Sequence, residues 1–237
     1  VLVRVSSPRR KRIGIMGGMF DPVHLGHLRL AQAAQVHAVL DEIRLVPCGS
    51  PVHRPQAFAS AEQRLAMLAL AVAGEPGLLV DPRECRSPAR SYSYDTLAAM
   101  RAEQPAATLF LVMGIDAFLQ LHTWYRWQEL FALAHLLVAG RPGYRLEIAT
   151  LNAGLRAEAS PRLQTCPEAC ADSTAGCILL AELDTPAISS TRVRALLLQT
   201  EGGSATGEAA EEAAALLLPA VSNYIRKHRL YRQEETN

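Results

Sequence analysis

Short apolar runs alternate with amphipathic stretches along nearly all of this 237-residue chain. "RIGIM" (12–16) is a β-rich run that meets Gly17-Gly18, a strand running into a turn. "EIRLVP" (42–47), "LLVD" (78–81), "TLFLVMG" (108–114), "LLVAG" (136–140) and "CILLAEL" (177–183) read as further strands. Between them, "HLRLAQAAQVHAVL", "SAEQRLAMLALAVAG", "SYDTLAAMRAEQ", "RWQELFALA" and "STRVRALLLQ" carry apolar positions at helical spacing. Ser60 and Gln63 form a capping-box pattern, and Gly74 can close that helix. "TEGGSATGEAAEEAAA" reads as a loop running into a short helix, and "PAVSNYIRKHRL" as a closing amphipathic helix. Residues 158–177 read as an insertion-prone loop.

Strands alternating with helices through short connections imply right-handed crossovers and a parallel sheet covered on both faces. The expected fold is α/β: a single doubly wound, Rossmann-like parallel sheet forming one domain over residues 1–237. Residues 1–11 are expected to be a flexible basic arm. In such sheets ligands bind beyond the carboxyl ends of the strands, where the winding reverses.

Composition narrows the functional classes. The formal net charge is +1, so no polyanionic partner is implied, neither nucleic acid nor an acidic membrane. No apolar run approaches the length of a membrane span. Five cysteines, an odd number, argue against a disulfide framework and for a reducing, cytoplasmic setting. Cys166, Cys170 and Cys177 lie in a polar stretch with no histidine nearby in sequence, so free thiols and no metal site are expected.

The chemistry concentrates in "GIMGGMFDPVHLGHLRLA" (14–31). Glycines at a strand end let a phosphate approach main-chain N–H groups. Asp21 and Pro22 look like a helix cap and first turn, although the helix could begin nearer Gly26. In either case His24 and His27 share one face at a helix N-terminus, where free N–H groups favour an anion. Gly26 between them leaves room for a ligand. A second anion site is suggested by Ser189, Ser190 and Thr191 at a late helix start, with Arg194 one turn on. Asp116 follows the strand 108–114 and could cap a helix.

"GGMFDPVHLGH" and "ISSTRVR" (188–194) resemble the two phosphate-binding motifs of the nucleotidyltransferase superfamily. "SPVHRP", "SYSYDTL", "GIDAF", "HTWYRW", "GRPGY" and "NYIRKHRLY" are similar, in the same order, to blocks of the bacterial nicotinate-nucleotide adenylyltransferases. That resemblance implies transfer of an adenylyl group from ATP to nicotinate mononucleotide, with release of pyrophosphate. It implies an ATP site at Gly17, Gly18, Met19, Phe20, His24, Gly26, His27, Gly114, Asp116, Ser189, Ser190, Thr191 and Arg194. His24, His27 and Arg194 would be its catalytic groups. It also implies a mononucleotide site at His53, Arg54, Tyr92, Ser93, Trp124 and Arg141, with Trp124 stacking on the pyridine ring. Magnesium would arrive on the ATP phosphates. Trp127 is expected to pack in the interior.

A nicotinate carboxylate next to Tyr92-Ser93 would meet the free N–H groups of a helix start. The family pattern is broken at Met19, where threonine is common, and at Cys48-Gly49, where an asparagine-containing loop is usual. Two other readings stay open. One is a sister enzyme preferring nicotinamide mononucleotide, the other a catalytically silent nucleotide-binding module. Oligomeric state is not legible in the sequence.

Overall fold

The computed structural model describes residues 9–49, 57–140, 143, 146–164, 166–170, 173–199 and 207–232. Strand β1 (Arg12–Gly18) leads to helix α1 (Leu25–His37) and strand β2 (Glu42–Pro47). Helix α2 (Ala61–Val72), strand β3 (Leu78–Val80), and helices α3 (Arg83–Arg86) and α4 (Ser93–Glu103) follow. The second half opens with β4 (Thr108–Gly114), α5 (Ile115–Leu119), α6 (Leu130–Leu133) and β5 (His135–Gly140). It continues through α7 (Ala153–Ala159), β6 (Leu163–Gln164), β7 (Ile178–Glu182), α8 (Ser190–Gln199), α9 (Gly207–Leu216) and α10 (Pro219–Lys227).

The strands form one parallel sheet in the order β3-β2-β1-β4-β5-β7-β6. β1 is central, and Ile15 faces Arg44 of β2 on one side and Leu111 of β4 on the other. The winding runs outward from β1 to β3, then reverses across β1 to start again at β4.

Alternation along each strand sorts side chains onto two faces. Met16, Phe110, Val112, Leu137 and Leu179 join one core with residues of α1, α2, α8 and α10. Ile13, Ile15, Leu109, Leu111 and Val138 join the other with residues of α4, α6 and α7. Helices therefore cover both faces, as expected. The capping box is formed: the N–H of Gln63 donates to Ser60 Oγ at 3.2 Å, and the N–H of Ser60 donates to Gln63 Oε1 at 2.9 Å. Gly74 leaves that helix at φ +86°, a conformation that favours glycine.

Three expectations change. "RWQELFALA" is a 3₁₀ turn (Trp127–Glu129) followed by one turn of α6, because the segment is too short to sustain a longer helix. The stretch read as a loop takes in the last two residues of α7 and the two-residue edge strand β6, which is too brief to show periodicity. Residues 1–8 of the expected arm lie outside the described residues. Its inner end is held, since Arg9 pairs with Asp41, and Lys11 with Glu42 at 2.6 Å.

Candidate active site

A cleft of about 910 Å³ opens at the carboxyl ends of the central strands. Gly17 and Gly18 of β1, Gly114 of β4 and Gly140 of β5 form its floor, and residues 185–191 with Arg194 form one wall. A smaller cavity of about 270 Å³ adjoins it and is lined by Tyr92, Ser93, Trp124 and Tyr125. The two share Gly17, Gly18, Met19, Leu30 and Gly114. This is the position at which the sheet's winding reverses.

The glycine run does not make the turn that the sequence suggested. Gly17 and Gly18 stay in β1, and Phe20 takes the left-handed conformation at φ +49°. Gly18 lies close under a side chain: a Cβ there would stand 3.0 Å from the Phe20 ring. Gly17 and Gly114 face open space, so main chain borders the cleft at both strand ends.

Asp21 is not a helix cap. Its peptide bond to Pro22 is cis, and the cap position of α1 falls to His24. The buried Asp21 carboxylate accepts from the N–H groups of Phe58 (2.8 Å) and Ala59 (3.1 Å) and from the Tyr231 hydroxyl (2.7 Å). Three donors converge on this carboxylate and fix it within the protein.

His24 and His27 meet as the spacing required, with ring centroids 3.8 Å apart. The N–H of His24 donates to His27 Nδ1 at 3.3 Å. His24 is buried at 3% exposure, and its Nδ1 has no hydrogen-bond partner among the described residues. Burial pushes its pKa down to about 4, so near neutral pH the ring is uncharged. Gly26 borders the cleft, yet the space beside it is filled. A Cβ there would meet His24 Nδ1 at 3.0 Å and Ile188 Cβ at 3.2 Å.

On the facing wall, Ser189 Oγ accepts from the N–H of Arg192 at 3.2 Å, which makes Ser189 the cap of α8. Ser190 is free of that task and donates to the Pro22 carbonyl at 3.0 Å. Arg194 donates through Nη1 to the Asp21 carbonyl (2.6 Å) and through Nη2 to Thr191 Oγ1 (3.3 Å). Its guanidinium lies 4.5 Å from the Phe58 ring centroid. Asp116 is exposed in the first turn of α5, where Gly114 holds the cap position, and it lines the cleft.

In the smaller cavity, Tyr92 caps α4 and Ser93 begins it, as expected. Tyr92 and Tyr125 lie with centroids 4.5 Å apart. Trp124 lines this cavity while Trp127 packs edge-on against Phe131 at 6.4 Å. Glu84, which the sequence did not single out, reaches the same helix start and accepts from Thr96 Oγ1 at 2.6 Å. Burial raises its pKa. Ser91 links this group to the loop after β2, since Ser91 Oγ accepts from the N–H of Gly49 at 3.1 Å. His53, Arg54 and Arg141 lie outside the described residues.

Arg64 and Tyr231 also escaped the sequence reading. Arg64, 1% exposed, donates to the carbonyls of Met19 (2.9 Å), Gly49 (3.3 Å) and Ala59 (3.3 Å), tying three loops together. Its signal was an arginine in register with Met67, Leu68 and Ala71, on the buried face of α2.

Cys170 and Cys177 come together with His135, their ligand atoms all within 4.8 Å. The histidine absent from their sequence neighbourhood is thus close in space, at the amino ends of β5 and β7. Both of its ring nitrogens are engaged: Nδ1 accepts from the N–H of Cys177 at 3.0 Å, and Nε2 faces the Ser173 carbonyl at 3.3 Å. No helix among the described residues is long and apolar enough to cross a membrane.

The chain is similar to known proteins along nearly its whole length. Residues 15–196 match the family described as cytidylyltransferase-like. A protein of Laribacter hongkongensis named "Probable nicotinate-nucleotide adenylyltransferase" is 45% identical, over 95% of this chain and 96% of its own length. A relative of the same name from Aeromonas hydrophila is 43% identical over 93% of this chain and 97% of its own. Among solved structures, the Plasmodium falciparum nicotinic acid mononucleotide adenylyltransferase complexed with NaAD superposes with a TM-score of 0.67. It is 17% identical, and the match covers 94% of this chain and 98% of that one. At that identity the likeness speaks for the fold.

Proposed function

Because this chain belongs to the nicotinate-nucleotide adenylyltransferase family, within the cytidylyltransferase-like proteins, we propose that it joins nicotinate mononucleotide to the adenylyl group of MgATP. The products are nicotinate adenine dinucleotide and pyrophosphate. The reaction belongs to NAD biosynthesis, and the absence of a disulfide among the described residues fits a cytoplasmic setting.

One observation carries the reading. A large cleft lined by His24, His27, Ser190 and Arg194 and a small aromatic cavity meet over the main chain of Gly17–Met19 and Gly114. Two nucleotides seated in them present their phosphates to each other at that seam. A phosphate monoester is already nucleophilic at neutral pH, so positioning and charge stabilisation supply the catalysis. An oxygen of the mononucleotide phosphate bonds to the α-phosphorus of ATP, and the bond from that phosphorus to the β-phosphate oxygen breaks. No covalent enzyme intermediate forms.

His24 acts as a neutral hydrogen-bonding ring rather than a resident cation, because burial disfavours its charge. It shares the start of α1 with His27, where free N–H groups add donors for the triphosphate. Arg194, Ser190 and Thr191 take the leaving β- and γ-phosphates from the opposite wall. Asp116, exposed at the rim, accepts from the ribose of ATP. Magnesium travels with the phosphates as part of the substrate. In the small cavity Trp124 stacks on the pyridine ring, and the N–H groups at the start of α4 receive the carboxylate. We extend the mononucleotide site to His53, Arg54 and Arg141 on the sequence resemblance alone.

The test is pyrophosphate release with MgATP and either nicotinate mononucleotide or nicotinamide mononucleotide, each over a concentration series. Higher kcat/KM with the acid supports the proposal. Equal or reversed preference removes the carboxylate assignment, and no release with either removes the enzyme reading.

A further inference from the structure

Resting on the adenylyl-transfer reading, we propose that Tyr231 is a positioning residue for the phosphate site and acts through Asp21 on Arg194. The Tyr231 hydroxyl donates to Asp21 Oδ1 at 2.7 Å, across 210 positions of sequence. Both residues are buried, at 7% and 3% exposure. Two further donors share that carboxylate, the N–H of Ala59 on Oδ1 and the N–H of Phe58 on Oδ2.

The side chain of Asp21 is thus held from two separate parts of the chain, while its main chain holds a third. Its carbonyl accepts from Arg194 Nη1 at 2.6 Å, and the neighbouring Pro22 carbonyl accepts from Ser190 Oγ at 3.0 Å. The contacts close on themselves. Phe58, whose N–H is bound by Asp21, offers its ring to the guanidinium of Arg194 at 4.5 Å. A shift of Asp21 therefore moves the carbonyl that aims Arg194 and loosens the ring that supports it.

Tyr231 supplies the one tether to this carboxylate that comes from the end of α10, beyond the elements that border the cleft. A charged acceptor makes the hydrogen bond strong, and burial denies it replacement by bulk water. The aromatic ring meanwhile belongs to the apolar core beside Val221 and Ile225. Tyr231→Phe keeps that ring and removes only the donor.

The experiment is steady-state pyrophosphate release by the full chain and by Tyr231→Phe, with MgATP and nicotinate mononucleotide varied in turn. Each is measured again in an Arg194→Ala background, with melting temperatures alongside. The expected result is a fall in kcat of about tenfold, with KM for nicotinate mononucleotide changed by less than about twofold. In the Arg194→Ala background the same change should cost less than about twofold, because the group it positions is gone.

Kinetics unchanged with a lowered melting temperature overturn the proposal, as does the same loss with and without Arg194. A Tyr231→Phe chain that does not fold assigns the bond to stability and likewise overturns it. Absence of pyrophosphate release from the unaltered chain is a different failure, that of the functional reading itself.

Discussion

The imidazole rings of His24 and His27 stack with their planes 26° from parallel, and Phe20 closes on His27 edge-on at 4.9 Å. Burial holds the His24 ring neutral within this stack. Of the two rings His27 is the more exposed, half-buried where it lines the cleft. His27→Ala is expected to lower kcat by about 10² to 10³, the loss typical of one donor aimed at developing charge. Pyrophosphate release measures it, and a loss below tenfold contradicts the assigned role.

Acid sensitivity follows from two histidines at opposite ends of the sheet. Burial holds both His24 and His135 at a pKa of about 4. The unfolded chain takes up those protons nearer pH 6.5, the ordinary histidine value. Between the two values the unfolded state binds more protons, so stability falls as pH drops from about 6.5 toward about 4. Urea denaturation at pH 7.5 and pH 5 should show a lower midpoint at pH 5, and a His135→Gln variant a smaller difference. A midpoint that rises on acidification disproves this.

Trp124 lines the small cavity and not the large one. Trp124→Ala should raise KM for nicotinate mononucleotide by about tenfold, the worth of an aromatic stacking contact. KM for MgATP should stay within about twofold of its original value. Separate titrations of the two substrates decide it, and equal effects on both would remove the stacking assignment.

Gly26 offers a test of packing rather than chemistry. Alanine there presses on the His24 ring and on Ile188, which belong to facing walls of the cleft. Gly26→Ala should destabilise the protein by about 1–3 kcal/mol, the usual cost of overpacking, and should lower kcat as His24 moves. Denaturant midpoints and turnover of one preparation measure both. Unchanged values would show that the neighbours give way at no cost.

The sheet was legible because its strands are continuous apolar runs bounded by turn residues, and β2, β4 and α8 fall where the pattern put them. The histidine pair and the α8 motif were legible because helix spacing fixes which side chains share a face. What escaped was long-range and polar. The role of Asp21 depends on Phe58, Ala59 and Tyr231, none of which is near it in sequence. A local reading could offer it only helix capping. Glu84 escaped for the same reason: its partners Ser91 and Thr96 belong to the start of another helix.

β1 meets β4 across nearly a hundred residues of intervening chain, and the Asp21–Tyr231 bond spans more than twice that. Contacts so distant in sequence form late, because loop closure costs entropy before any contact offsets it. The helices draw on neighbours three and four residues away and can form early. During refolding, helical circular dichroism should therefore return ahead of enzymatic turnover. The cleft becomes competent only when residues from both ends of the chain have found each other.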